Sequence, residues 1–197
     1  IDAVDQNLGD DVSSRYAPLV PRDCRLLLGP HYALLRPAFG AAHARARVRE
    51  NGVKRVLLFF GGSDAVNLTT TAIEAIRTLA PTDVVFDAVV GGGNPHARSI
   101  ASLAARTPSV VLHYQTAEMA ALMLAADISV GAGGTASWER CAVGLPALVI
   151  VTAENQRRVV VETSRHGACV NLGDAAEMTA PRIAAALQDA IAGRLDL

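Results

Sequence analysis

With 197 residues, 51% of them apolar and 19% charged, the chain can build a sizeable core and is neither disordered nor fibrous. Its 18 basic residues against 19 acidic leave a formal charge of −1, which gives no electrostatic draw toward nucleic acid or an anionic membrane. No apolar run reaches the ~20 residues of a membrane span, so neither kind of partner is expected.

Three cysteines, Cys24, Cys141 and Cys169, are too scattered for a disulfide framework or a zinc knuckle. They read as free thiols in a reducing compartment, which predicts a cytoplasmic location. No basic start followed by an apolar stretch marks a leader. The opening Ile1-Asp2-Ala3-Val4-Asp5, without Met, reads as the middle of a fold and so as a piece of something longer.

From residue 53 onward, strand-length apolar runs alternate with Ala-rich helical patterns. Residues 54–60 (KRVLLFF) predict a strand, followed by the loop Gly61-Gly62-Ser63-Asp64 and a helix over 68–79. Strand 84–90 leads into Gly91-Gly92-Gly93-Asn94-Pro95 and a helix to 106. Strand 109–113 and helix 116–126 follow, then strand 127–130, the turn Gly131-Ala132-Gly133-Gly134 and helix 135–143. Strand 146–151, helix 155–165, a short strand 168–171 and helix 181–191 complete the series. Continuously apolar strands expect helices on both faces of a parallel sheet, and this succession predicts a doubly wound, Rossmann-like α/β domain over 53–197. Residues 1–52 differ: prolines and mixed charge over 12–25, a strand-length run at 26–29, and an Arg-rich helical pattern over 34–50. They read as a domain remnant and a linker with a docking helix. The run AAHARARVR at 41–49 reads as a solvated helix face before it reads as a nucleic-acid arm.

In an open parallel sheet, ligands bind at the carboxyl ends of the strands, where three glycine-bearing turns fall here. Gly61-Gly62-Ser63-Asp64 opens a helix and can bring backbone N–H groups to an anion, or be a tight turn without a ligand. Asp64 is expected to turn away and cap its helix. At the second turn, Gly134 and Thr135 can present amides, with the Thr135 hydroxyl as a further donor. Glu139 lies four residues on, on the same helix face, and can accept from the vicinal hydroxyls of a ribose or simply face solvent. The third turn reads as structural, with Asn94 as cap and Pro95 at the first helical position. No turn has GxGxxG spacing, which disfavours a dinucleotide. The five histidines show no metal-binding spacing, and no nucleophile signature appears. Trp138 and the pair Met119/Met123 read as core before pocket wall.

The ordered motifs GAGGTASWE at 131–139, GLPALVIV at 144–151 and Glu154-Asn155-Gln156, behind Gly61-Gly62-Ser63-Asp64, resemble the carboxyl-terminal half of GT-B nucleotide-sugar enzymes. With LGPHYALLRPAF at 28–39 and Asp5-Gln6-Asn7-Leu8-Gly9 upstream, the chain looks like the pseudaminic-acid pathway hydrolases. These remove UDP from UDP-2,4-diacetamido-2,4,6-trideoxy-β-L-altropyranose. The peptidoglycan UDP-N-acetylglucosamine transferases are broader relatives.

The resemblance implies a carboxyl-terminal GT-B domain whose ligand is UDP or a UDP-sugar, with no cofactor and no metal. Gly62 and Ser63, with the amides of Gly134 and Thr135, would face the diphosphate, and Glu139 the ribose. Thr116 and Met119 would form the uracil-contacting turn, and Asn155 and Gln156 would reach the sugar. Arg36 would meet the charged part of the substrate, or be a surface cation. The family's presumed base, a histidine on a glycine-rich loop of the amino-terminal domain, has no match here. The chain is therefore expected to bind UDP, hold no catalytic residue and be inactive without the amino-terminal domain of the same protein. A glycosyltransferase half and a non-catalytic nucleotide-binding module stay open as alternatives.

Overall fold

The computed structural model describes residues 2–9, 12–49, 52–81 and 83–195. Ile1 and Glu50, counted above in the opening segment and the helical pattern, lie outside the described residues, as does Leu197 at the end of the predicted domain. Strands β1 (Asp2–Asp5) and β2 (Arg25–Leu28) pair in parallel as a small sheet, with α1 (Val12–Tyr16) between them in sequence. The connecting segment carries a single 3-10 turn at Pro30–Tyr32 and then α2 (Pro37–His43), whose proline pre-sets the first helical turn.

Six βα units follow: β3 (Arg55–Phe59) and α3 (Leu68–Leu79), β4 (Val85–Val90) and α4 (Ala97–Ala104), β5 (Val110–Tyr114) and α5 (Met119–Ala125), β6 (Ile128–Ala132) and α6 (Ala136–Ala142), β7 (Ala147–Val151) and α7 (Glu154–Arg165), β8 (Val170–Asp174) and α8 (Ala180–Ile191). The strands form one parallel sheet in the order β5-β4-β3-β6-β7-β8. Val56, Leu58, Phe86, Ala88, Val130 and Ile150 bury one face under α3, α4 and α8. Leu57 and Val89 on the other face meet α2, α5 and α6, while Val149 and Val151 pack against α7. This is the doubly wound α/β architecture expected from the apolar pattern.

Several boundaries differ for identifiable reasons. The helix of the connecting segment is 37–43 rather than 34–50. Its Arg-rich tail is largely exposed over 43–48, as expected, but ends in a tether: Arg49 donates to the carbonyl oxygens of Ala126 (2.9 Å) and Gly144 (2.6 Å), at the ends of α5 and α6. Phe39 of α2, fully buried beside Met119, Met123 and Val143, anchors the same segment in the domain core, so it docks as expected. Gly131 and Ala132 belong to β6 rather than to a turn, with Gly131 in register with Phe59. Asn94 does not cap α4: it accepts from the His96 amide (2.8 Å) in an Asx turn, and the helix begins two residues after Pro95. The last strand is 170–174 rather than 168–171, shifted in register against β7. Trp138 is buried, in agreement with the core reading.

Asp127, at the foot of β6, ties the connecting segment to the sheet. One carboxylate oxygen accepts from Arg47 (2.6 Å), the other from the amides of Lys54 (2.9 Å) and Arg55 (2.8 Å). Burial opposes ionisation, but these donors outweigh it and hold the carboxyl below its ordinary value. A depressed folded pKa gives stability that is complete above the unfolded value, about 4, and lost as pH falls through the folded one. Asp127→Asn is therefore expected to cost about 1–2 kcal/mol near neutral pH. Urea unfolding should show that difference shrinking as the pH is taken below about 4.

Candidate functional site

Strands β3, β4 and β5 step one way across the sheet and β6, β7 and β8 the other, so the topological switch lies between β3 and β6. Connections diverge there and leave a crevice at the carboxyl ends of the strands. A cavity of about 500 Å³ fills it, walled by the 61–66 loop, the start of α6, and Thr152, Ala153 and Gln156 beyond β7.

The first wall is built from the loop after β3. Asp64 adopts a left-handed backbone (φ 40) and turns its carboxylate back onto α3. It accepts from the amides of Leu68 and Thr69 (2.9 Å each) and the Thr69 hydroxyl (2.7 Å). That is the capping role expected of it, and both carboxylate oxygens are spent on the start of α3. Gly62 and Ser63 stay exposed, and their amides have no hydrogen-bond partner among the described residues. The third glycine turn supports this loop from behind: a Cβ on Gly91 would strike the Gly62 carbonyl oxygen. Its role is packing, as expected.

Opposite, the amides of Gly134 and Thr135 are likewise without partners among the described residues and lie at the positive end of α6. Gln156 stands beside them. Its Oε1 accepts from the Thr152 amide (3.1 Å) and hydroxyl (3.0 Å), which fixes the carboxamide and aims Nε2 toward Gly134. Glu139 completes the wall, its side chain 15% exposed and paired with Arg36 Nη2 at 3.3 Å. Arg36 is braced in turn, its guanidinium 5.3 Å from the centroid of the buried Phe39 ring.

A crevice at the switch point with amide donors on two walls and a half-buried carboxylate between them suits a phosphorylated nucleoside. Residues 56–197 match the family model described as "Glycosyltransferase family 28 C-terminal domain". The chain belongs to that family.

SpsG of Bacillus subtilis, described as a spore coat polysaccharide biosynthesis protein, is 30% identical over 175 residues, which cover 87% of this chain and 50% of that protein. Acinetobacter baumannii MurG has a similar structure, with a TM-score of 0.60 at 14% identity over 87% of this chain and 48% of that one. Phytolacca americana UGT2, solved with UDP-2-fluoro-glucose and pterostilbene, gives a TM-score of 0.59 at 14% identity over 98% of this chain and 44% of that one. The structural likenesses establish the GT-B type of fold, and the chain spans about half the length of these relatives.

Within this family 28 domain, the cavity gathers Gly62, Ser63, Gly134, Thr135, Glu139 and Gln156 of the residues singled out from the sequence. Arg36 reaches it only through Glu139. Asn155 is exposed on α7 and does not line it. Thr116 lies in the loop after β5, not in a helix, where its Oγ1 accepts from the Glu118 amide (3.0 Å). Met119 is buried in the core with Phe39 and Leu57, so its side chain is not a wall of the cavity. No histidine among the described residues lines it either. Sequence reasoning missed Thr152. The local signal was a Gln at the third position of a helix, which can reach back to the backbone before it as in a capping box; here it bonds the Thr152 amide, one residue ahead of the N-cap Ala153.

Proposed function

We propose that this chain is the nucleotide-holding half of an enzyme that cleaves the anomeric bond of a UDP-sugar, with UDP as the leaving group. The observation that carries this reading is the meeting, in one cavity, of the Gly62, Ser63, Gly134 and Thr135 amides with the Gln156 carboxamide and the Glu139 carboxylate. Pre-placed amides favour the charge that develops on a departing diphosphate and need no reorganisation at that moment. Glu139 accepts the ribose hydroxyls, with Arg36 beside it. The uracil extends toward the loop after β5 that carries Thr116 and leads into Met119 of α5. Gln156 and Asn155 lie on the side from which the sugar would enter.

Hydrolysis of UDP-2,4-diacetamido-2,4,6-trideoxy-β-L-altropyranose is the first reading, and it rests on the resemblance to the pseudaminic-acid pathway hydrolases. The likeness to SpsG, a spore coat polysaccharide biosynthesis protein, supports a sugar precursor as substrate. Transfer to an acceptor is the second reading, favoured by the family's own description. In either case residues 53–197 form the UDP-binding domain and residues 1–52 the linker and remnant of an amino-terminal one. The water-activating base or acceptor site comes from that other domain, the reading needs no cofactor, and the chain alone binds UDP without turning it over.

Calorimetric titration with UDP, and with ADP and NAD as controls, tests the site: a clear preference for UDP is expected, and no binding of UDP would sink the reading. The protein carrying this chain together with its amino-terminal domain then separates the two reactions. Free sugar released without an acceptor supports hydrolysis, and an acceptor-dependent glycoside supports transfer.

A further inference from the structure

Arg140 is the only buried arginine among the described residues, 3% exposed. It stands one turn into α6, and helical side chains lean back toward the amino end. The guanidinium thus reaches beneath the cavity wall, where Nη2 donates to the Ala132 carbonyl oxygen (2.9 Å) and the Ser137 hydroxyl (3.1 Å). Nη1 packs under Gly131, close enough that a Cβ there would lie 3.0 Å from it. Ala132, whose carbonyl Arg140 holds, lines the cavity together with Gly134, Thr135 and Ala136.

A charge taken so far from water is costly unless an opposite charge meets it. No carboxylate forms an ion pair with it among the described residues, and the charge of Glu139 reaches it only as a minor attraction. Glu139, its sequence neighbour, is turned to Arg36. Desolvation pushes the thiols of Cys141 and Cys169 up, so neither supplies a thiolate at neutral pH. The same desolvation draws the Arg140 pKa down from the ordinary guanidinium value.

The geometry points to Arg140 as an electrostatic and positioning residue for a diphosphate: a fixed cation behind the β6–α6 wall, neutralised by the anion that the Gly134 and Thr135 amides receive. This rests on the nucleotide reading of the cavity and adds what that reading lacks, a full positive charge at its phosphate end.

Wild type, Arg140→Met and Arg140→Lys are to be titrated with UDP, uridine and inorganic pyrophosphate, and their unliganded thermal unfolding compared. In Arg140→Met, UDP and pyrophosphate should weaken about tenfold or more while uridine stays within about twofold. Its unliganded Tm should match or exceed that of wild type, because an apolar side chain of similar volume removes a desolvation cost. Arg140→Lys should keep most of the UDP affinity. Equal losses for UDP and uridine, or unchanged UDP binding, would overturn the assignment to Arg140 alone. A wild type that binds neither UDP nor uridine would bring down the nucleotide reading, and this one with it. Should Arg140→Met not fold, the Arg140 Nε–Hε resonance of the wild type decides: pyrophosphate should shift it and uridine should not, and no shift with pyrophosphate overturns the proposal.

Discussion

Glu139→Ala is expected to weaken UDP binding by about tenfold to a hundredfold, the weight of one or two hydrogen bonds to a charged acceptor. The loss should fall equally on uridine and should spare inorganic pyrophosphate, because the proposed site gives the carboxylate to the ribose and not to the phosphates. A UDP analogue without the 2′-hydroxyl should bind wild type more weakly and lose little further in the variant. Calorimetry on the four pairings gives the coupling directly. UDP affinity unchanged in Glu139→Ala would remove this residue from the site. The substitution also frees Arg36, which in wild type spends one N–H on Glu139. Arg36→Met is the control for that effect. It should move UDP and uridine together and by less, since the exposed guanidinium acts by orienting the carboxylate.

Gly131→Ala is expected to destabilise the domain by about 3 kcal/mol. Gly131 is level with Phe59 on the neighbouring strand, and a Cβ would strike the Phe59 carbonyl oxygen, which is backbone and cannot swing aside. It would also press on Arg140 Nη1 beneath. Urea unfolding of wild type and variant measures the loss, and a difference below about 1 kcal/mol would contradict the close approach. Gly134→Ala is the contrasting case three residues on. Its nearest neighbour would be Gln156 Nε2 at 3.7 Å, an ordinary contact, so the fold should tolerate it while the added methyl crowds the cavity.

The βα succession was legible because each strand is apolar on both faces and each helix carries a one-sided pattern, signals that need no knowledge of distant partners. Asp64 was legible as a cap for the same reason, its bonds reaching only four and five residues along. Gly131 was misread because glycine marks a turn locally, whereas here it meets the demand of a strand far away in sequence. The arginines of 45–49 looked solvated by composition, and Arg45 and Arg47 are indeed exposed; what composition did not show is that the partners of Arg47 and Arg49 lie tens of residues onward. Within the site, the glycines and Glu139 could be found from spacing beside strand ends, whereas Gln156 came only from the resemblance to a known family. For Met119 the helical spacing favoured a core place and the resemblance a ligand contact; packing with Phe39 of α2 puts the side chain in the core.

One arrangement has a thermodynamic corollary. Arg36 immediately precedes α2, whose Phe39 is fully buried, and it holds the carboxylate that the ribose would engage. Seating of that helix and occupancy of the ribose subsite therefore share a coupling free energy, and linkage makes the coupling reciprocal. On the proposed reading, a nucleotide that engages Glu139 would alter how firmly α2 is seated, and a change that loosens α2 would alter nucleotide affinity by the same factor. The segment that carries α2 would then report ligand state.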